Sequence, residues 1–116
     1  MDIYHCWCNL KAGVSDVDFA ERVSTYLGHL RSEGLIGGWG LTRRKLGLGP
    51  PHLGDFHLMI EVRDLTQLES AFAHVAGRRD PVESFHHAVN SVVTDVQFAL
   101  YREFPDAVRH RGEEKF

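Results

Sequence analysis

His5, His57 and Glu61 are the side chains of this 116-residue chain whose types and spacing best suit proton transfer. Two of them lie in Gly54–Arg63, which alternates cleanly: Phe56, Leu58, Ile60 and Val62 on one side, His57, Met59 and Glu61 on the other. Strand side chains repeat every two residues, so this is a strand with one core face and one face bearing titratable groups. His5 holds the same place in Ile3–Leu10, where Tyr4, Cys6, Cys8 and Leu10 share one side and Ile3, His5, Trp7 and Asn9 the other. If the two strands are antiparallel neighbours, the three groups share a face. There they could act as a general base with its orienting partner, or as half of a metal site. The plainer alternative is hydrogen bonding across a partly wet interface.

Other chemistry-bearing residues are weaker candidates. In His86-His87, consecutive helical positions diverge, so the pair cannot chelate one ion, and the stripe Val82, Phe85 and Val89 turns His86 inward. His86 could then reach a pocket between helices and sheet together with Tyr4 or Tyr26. The usual outcome for such a histidine is a local hydrogen bond within the core. Cys6 and Cys8 lie two apart on one side of a strand, a poor geometry for a disulfide, and read as reduced, small apolar fillers. Arg43-Arg44-Lys45 could hold a carboxylate or phosphate, although a solvated strand end explains it more simply. The glycine runs at 37–40 and 47–49 match no phosphate-binding motif, so nucleotide binding has no support; no cofactor and no metal are expected.

The elements that must place these residues follow from caps and periodicity. Ser15 with Asp18 caps a helix reaching about Glu33, its stripe formed by Phe19, Val23, Tyr26, Leu27 and Leu30, and Gly34 stops it. Ile36–Arg44 is a glycine-rich strand with Trp39 and Leu41 on one side. Lys45–Gly54, with three glycines and two prolines, predicts a loop with few internal contacts, able to act as a flap. Asp64–Gln67 caps a second helix carrying Leu65, Leu68, Phe72 and Val75 to Gly77. A short helix, Pro81–Ser91, begins at a helix-start proline. Thr94–Glu103 is the last strand, with Val96, Phe98 and Leu100 alternating against Gln97, Ala99 and Tyr101. The order is βαββαβ with an extra short helix before the last strand. It predicts an α+β, ferredoxin-like domain over residues 1–104, with a four-stranded antiparallel sheet and the long helices on one face. Residues 105–116 form a charged C-terminal tail.

With 43% hydrophobic and 25% charged residues, the composition is that of an average globular protein. A net charge of −3 and a pI near 6.2 give no reason to approach nucleic acid or an anionic membrane. Without an apolar run of signal-peptide or membrane-spanning length, a cytoplasmic protein is expected. The sheet face away from the helices carries Ile3, Trp7, Met59 and Tyr101, and that mixed surface requires a cover.

Over about Met1 to Phe104, the aromatic-containing first strand, glycine-rich second strand, alternating third strand and extra helix Pro81–Ser91 together resemble the dimeric α+β barrel superfamily. That superfamily includes antibiotic-biosynthesis monooxygenases, stress-responsive A/B barrel proteins and small polyketide cyclases. The resemblance implies a homodimer whose sheets face each other. It also implies a site beside the sheet for an apolar or aromatic small molecule, with cofactor-independent monooxygenase- or cyclase-like chemistry as the enzymatic option. A non-enzymatic dimeric binding or structural module is the alternative. Trp7, Trp39, Tyr101, Tyr26 and His86 are the candidate ligand contacts, and no catalytic residue is transferred by the resemblance.

Overall fold

A computed structural model describes residues 1–112. Its elements are β1 (Asp2–Leu10), α1 (Asp16–Ser32), β2 (Gly38–Arg43), β3 (Phe56–Val62), α2 (Leu65–Ala76), α3 (Val82–Asn90) and β4 (Val93–Arg102). The strands form one antiparallel sheet in the order β2-β3-β1-β4, a ferredoxin-like arrangement with three helices. No described helix is long and apolar enough to cross a membrane.

Local chemistry sets the helix ends. The Ser15 hydroxyl accepts from the Asp18 N–H at 3.3 Å, and α1 ends in paired bonds from Gly34 N–H to Arg31 and from Leu35 N–H to Leu30. Gly34 takes a positive φ of 72° to close that motif. Asp64 caps α2 by accepting from the Gln67 N–H at 2.9 Å. Gln67 is buried yet satisfied: its carbonyl accepts from the Arg63 N–H and its amide donates to the Gly34 carbonyl, tying the start of α2 to the end of α1.

The register places Tyr4, Cys6 and Cys8 beside Ile60, Leu58 and Phe56, and all face the helices. Phe19, Val23 and Leu27 of α1 are fully buried against this face, joined by Val62, Leu68, Ala71 and Val82. Leu65 and Phe72 lie outside the core, 47% and 48% exposed, because α2 sets Leu68 and Ala71 inward. Trp39 pairs with Ile60 and so packs against the core on the helix face, away from Trp7 and His57.

The helices also leave β4 uncovered. Phe98 and Leu100 face the helix side, opposite Cys6 and Tyr4, but remain 59% and 51% exposed. A register shift between Trp7 and Asn9, with Asp95 at φ 55°, bulges β4 where Asn9 meets Asp95 at 3.2 Å.

The 45–54 loop differs from the loose flap expected. One Arg44 Nη donates to both the Pro50 and Leu53 carbonyls at 2.7 Å, and the Gln97 amide donates to the His52 carbonyl at 2.7 Å. Buried Gly54 lies directly against the Cys8 backbone. Glycine and proline content reports the loop's backbone shape, whereas these tethers come from side chains distant in sequence.

At the other end of the sheet, buried Asp2 accepts from Arg102 Nε at 2.6 Å, and Arg102 also reaches Asp106 at 3.2 Å. Residues 105–112 follow β4 as turns, and the rest of the charged tail lies outside the described residues. The hydrogen bond from Arg102 holds the Asp2 carboxyl below its ordinary value of 3.8. The pair therefore contributes stability that is complete above that value and is lost as pH falls through the lower native one. Acid unfolding followed by circular dichroism should begin at higher pH in Arg102→Leu. An unchanged acid limb would remove the pair from the balance.

Candidate functional site

Two sites emerge, one on each face of the sheet. On the face away from the helices, His5 Nδ1 lies 2.8 Å from His57 Nε2. The rings stack with centroids 5.0 Å apart, Trp7 stacks on His57 at 4.5 Å, and Tyr101 meets His5 edge-on at 5.1 Å. Desolvation lowers the affinity of both imidazoles for a proton, and the neighbouring His5 lowers that of His57 further. Both are neutral at pH 7, so one ring N–H donates to the other's lone pair.

Glu61 does not complete this group. It shares the face, but it pairs with Ile3 and Gly38, four residues beyond His57, or roughly 13 Å along a strand. The partner of His57 is His5. Among the described residues, no three His, Cys, Asp or Glu side chains converge as a metal site would require.

Because the folded imidazoles titrate below the ordinary value of 6.5, the unfolded chain binds more protons just beneath that pH. Stability due to the pair is complete above 6.5, declines as pH falls below it, and levels off once the folded pair also protonates. Melting temperatures between pH 8 and 5 should decline less in a His5→Gln, His57→Gln double variant. Equal declines would assign the effect to other groups.

The second site lies between sheet and helices, a cleft of about 220 Å³ whose walls include Tyr4, Cys6, Tyr26, Phe72, His86 and Phe98. Tyr4 stacks on Phe98 at 5.5 Å and meets Phe72 edge-on at 5.2 Å, so three aromatic rings frame the mouth beside uncovered β4. Deeper in, Tyr26 and His86 approach with ring centroids 5.4 Å apart. Burial pushes the Tyr26 hydroxyl up to about 12, so it stays protonated and can donate. His87 is exposed. Both cysteines line the same cleft as free thiols.

Of the predicted contacts, the structure brings together Tyr26 and His86 in the cleft, and Trp7 and Tyr101 around His5 on the opposite face. Trp39 lines neither place. Phe72 and Phe98 line the cleft without having been named as candidate contacts from the sequence, where they only marked a helix stripe and a strand's alternation. Parity gave Phe98 its face, but how far the helices extend over β4 is set by tertiary packing.

A third hollow, near 300 Å³, opens between the 45–54 loop and the sheet beside Trp7 and His57. Its arginines are already engaged: Arg44 holds the loop, while Arg43 pairs with Asp16 at 2.9 Å and covers Phe56.

Among solved structures, the chain is similar to an Arabidopsis thaliana protein, with a TM-score of 0.71 at 12% identity, covering 93% of this chain and 100% of that one. It is similar to SnoaB, a cofactor-independent oxygenase from Streptomyces nogalater, with a TM-score of 0.68 at 8% identity, covering 93% and 97%. A dimeric ferredoxin-like protein of unknown function from Thermobifida fusca gives 0.57 at 16%, covering 87% and 90%. These likenesses show a ferredoxin-like fold, one shared by proteins described as a cofactor-independent oxygenase, an antibiotic-biosynthesis monooxygenase and dimeric proteins of unknown function. No curated protein matches the chain. One family model, described as a family of unknown function (DUF6614), matches residues 1–116. The chain belongs to that family.

Proposed function

We propose that this protein is a homodimeric α+β barrel that binds an apolar or aromatic small molecule in the cleft between Tyr4 and the helices, and acts on it without a cofactor. The observation that carries the reading is the cleft itself: an apolar space of about 220 Å³, framed by aromatic rings, with Tyr26 and His86 as a polar pair inside. Pockets for small ligands have this composition, mostly apolar with a few placed polar groups. In it, the protonated Tyr26 hydroxyl donates to a ligand oxygen, and His86 takes up the proton of a phenol or enol, leaving an electron-rich anion. The likeness to a cofactor-independent oxygenase is in keeping with such chemistry.

The opposite face supplies the dimer contact in this reading. Ile3, Trp7, Met59 and Tyr101 present apolar surface there, and Tyr101 is 63% exposed in the single chain. A second copy covers it, as the dimeric neighbours suggest. His5 and His57 then lie within the barrel as a neutral, mutually satisfied pair.

Light scattering should give twice the chain mass of 13.2 kDa. Fluorescence titration with a naphthol should show binding that Phe98→Asp abolishes and His57→Gln leaves intact. Loss in His57→Gln with retention in Phe98→Asp would move the site to the opposite face. Binding without any conversion of hydroxylated arenes in air would leave a non-enzymatic binding module.

A further inference from the structure

Tyr4 carries a hydroxyl that the fold itself does not use. Its ring is fixed by Phe98, stacked at 5.5 Å, and by Phe72, edge-on at 5.2 Å, and its neighbours across β3 and β4 are Ile60 and Leu100. None of these side chains can bond a hydroxyl. Among the described residues, the Tyr4 oxygen has no hydrogen-bond partner in the protein. Phenylalanine would make the same ring contacts. Burial raises the hydroxyl above its ordinary value of 10.0, so it is protonated at neutral pH and donates. A hydroxyl partly withdrawn from water, held in place by two rings and left unpaired, costs the fold desolvation with no bond to offset it.

We infer that Tyr4 is a specificity determinant of the cleft: its hydroxyl binds a second oxygen of the ligand, so arenes oxygenated at two separated positions are selected. The inference rests on the cleft being the ligand site. In that reading the first oxygen belongs to Tyr26 of α1 and His86 of α3, whose rings approach at 5.4 Å on the helix wall. Tyr4 lines the sheet wall, on β1. Between the two lie Leu27, Leu58, Ile60 and Val89, an apolar lining suited to the body of an aromatic ring. The polar groups come from different layers of the fold, so the oxygens they hold sit on different carbons. One is a phenol or enol facing the helices, the other a hydroxyl or carbonyl facing β1. A ligand lacking the second oxygen displaces water from the Tyr4 hydroxyl and replaces it with nothing, and is bound less well for that reason.

Fluorescence titration of the full chain compares a naphthol with the dihydroxynaphthalenes that add a hydroxyl on its far ring. At least one of these diols should bind wild type about five- to tenfold more tightly than the naphthol, the net worth of one hydrogen bond. Tyr4→Phe should melt as wild type does, keep its affinity for the naphthol and lose the preference for the diol. A purely structural role for Tyr4 would not move that ratio. No preference in wild type, a preference that survives in Tyr4→Phe, or equal weakening of naphthol and diol each overturns the inference. If the naphthol binds and no diol is preferred, the cleft reading stands and the role of Tyr4 falls; if neither compound binds, both fall. Should Tyr4→Phe not fold, Tyr4→Leu, which also removes the hydroxyl, supplies the same ratio.

Discussion

Gly54→Ala should destabilise the protein by more than about 3 kcal/mol and should leave little folded chain at 37 °C, since overpacking beyond the usual range meets a typical domain stability of only about 5–15 kcal/mol. A methyl group at this position would sit 2.3 Å from the Cys8 carbonyl carbon, 2.4 Å from its oxygen and 2.8 Å from its Cα. All three atoms belong to the backbone of β1, the strand paired on both sides, so no side chain can rotate away. Either the loop lifts off the sheet or β1 shifts, and a shift breaks its pairing with β3 or β4. Gly28→Ala is the control. That glycine lies within α1 with nothing near the added carbon, so alanine should stabilise by roughly 0.5–1 kcal/mol through helix propensity. Urea midpoints of the two variants should lie on opposite sides of wild type. A Gly54→Ala protein within about 1 kcal/mol of wild type would mean the loop is not seated on β1.

Leu58→Ala and His57→Ala, one residue apart, should separate the two faces of β3. Leu58 is 6% exposed and packs in the core beside Cys6 and Leu41, so its truncation should cost about 2–5 kcal/mol in lost burial and residual cavity. His57 is only partly buried and bonds a histidine that water can serve instead, so its loss should cost under about 1 kcal/mol. Equal losses would mean the outer face carries as much packing as the inner one.

How much of this was legible in the sequence depends on the kind of question. Strict alternation in β1 and β3 assigned the faces of His5, His57, Cys6 and Leu58, because a strand's period is fixed by its backbone. Ser15, Gly34 and Asp64 marked helix ends because each satisfies a backbone group in its own neighbourhood. Distance along a face was not legible. Glu61 shares a side with His57 but stands two side-chain places away on the same strand, and only the register reveals that His5 is the partner. Coverage was not legible either. Phe72 and Phe98 look like core residues by type and period, and what leaves them at a cleft mouth is where α2 comes to rest. The tethering of the 45–54 loop escaped for a related reason, since Arg44 and Gln97 are ordinary polar residues until the fold brings the loop carbonyls to them.

The strand order has a consequence for the time course of synthesis. Of the four strands of this sheet, β1 is synthesised first, yet it occupies a central place and is paired on both edges, and its second edge is filled by residues 93–102. Contacts so distant in sequence close late and slowly. Until β4 emerges, a nascent chain can build β1 against β3 and begin burying the aromatic and thiol side of that pair under α1, but it keeps a bare hydrogen-bonding edge. That edge is open to strand exchange with another growing copy, so crowding of nascent chains is the stage at which this topology is most exposed to misassembly.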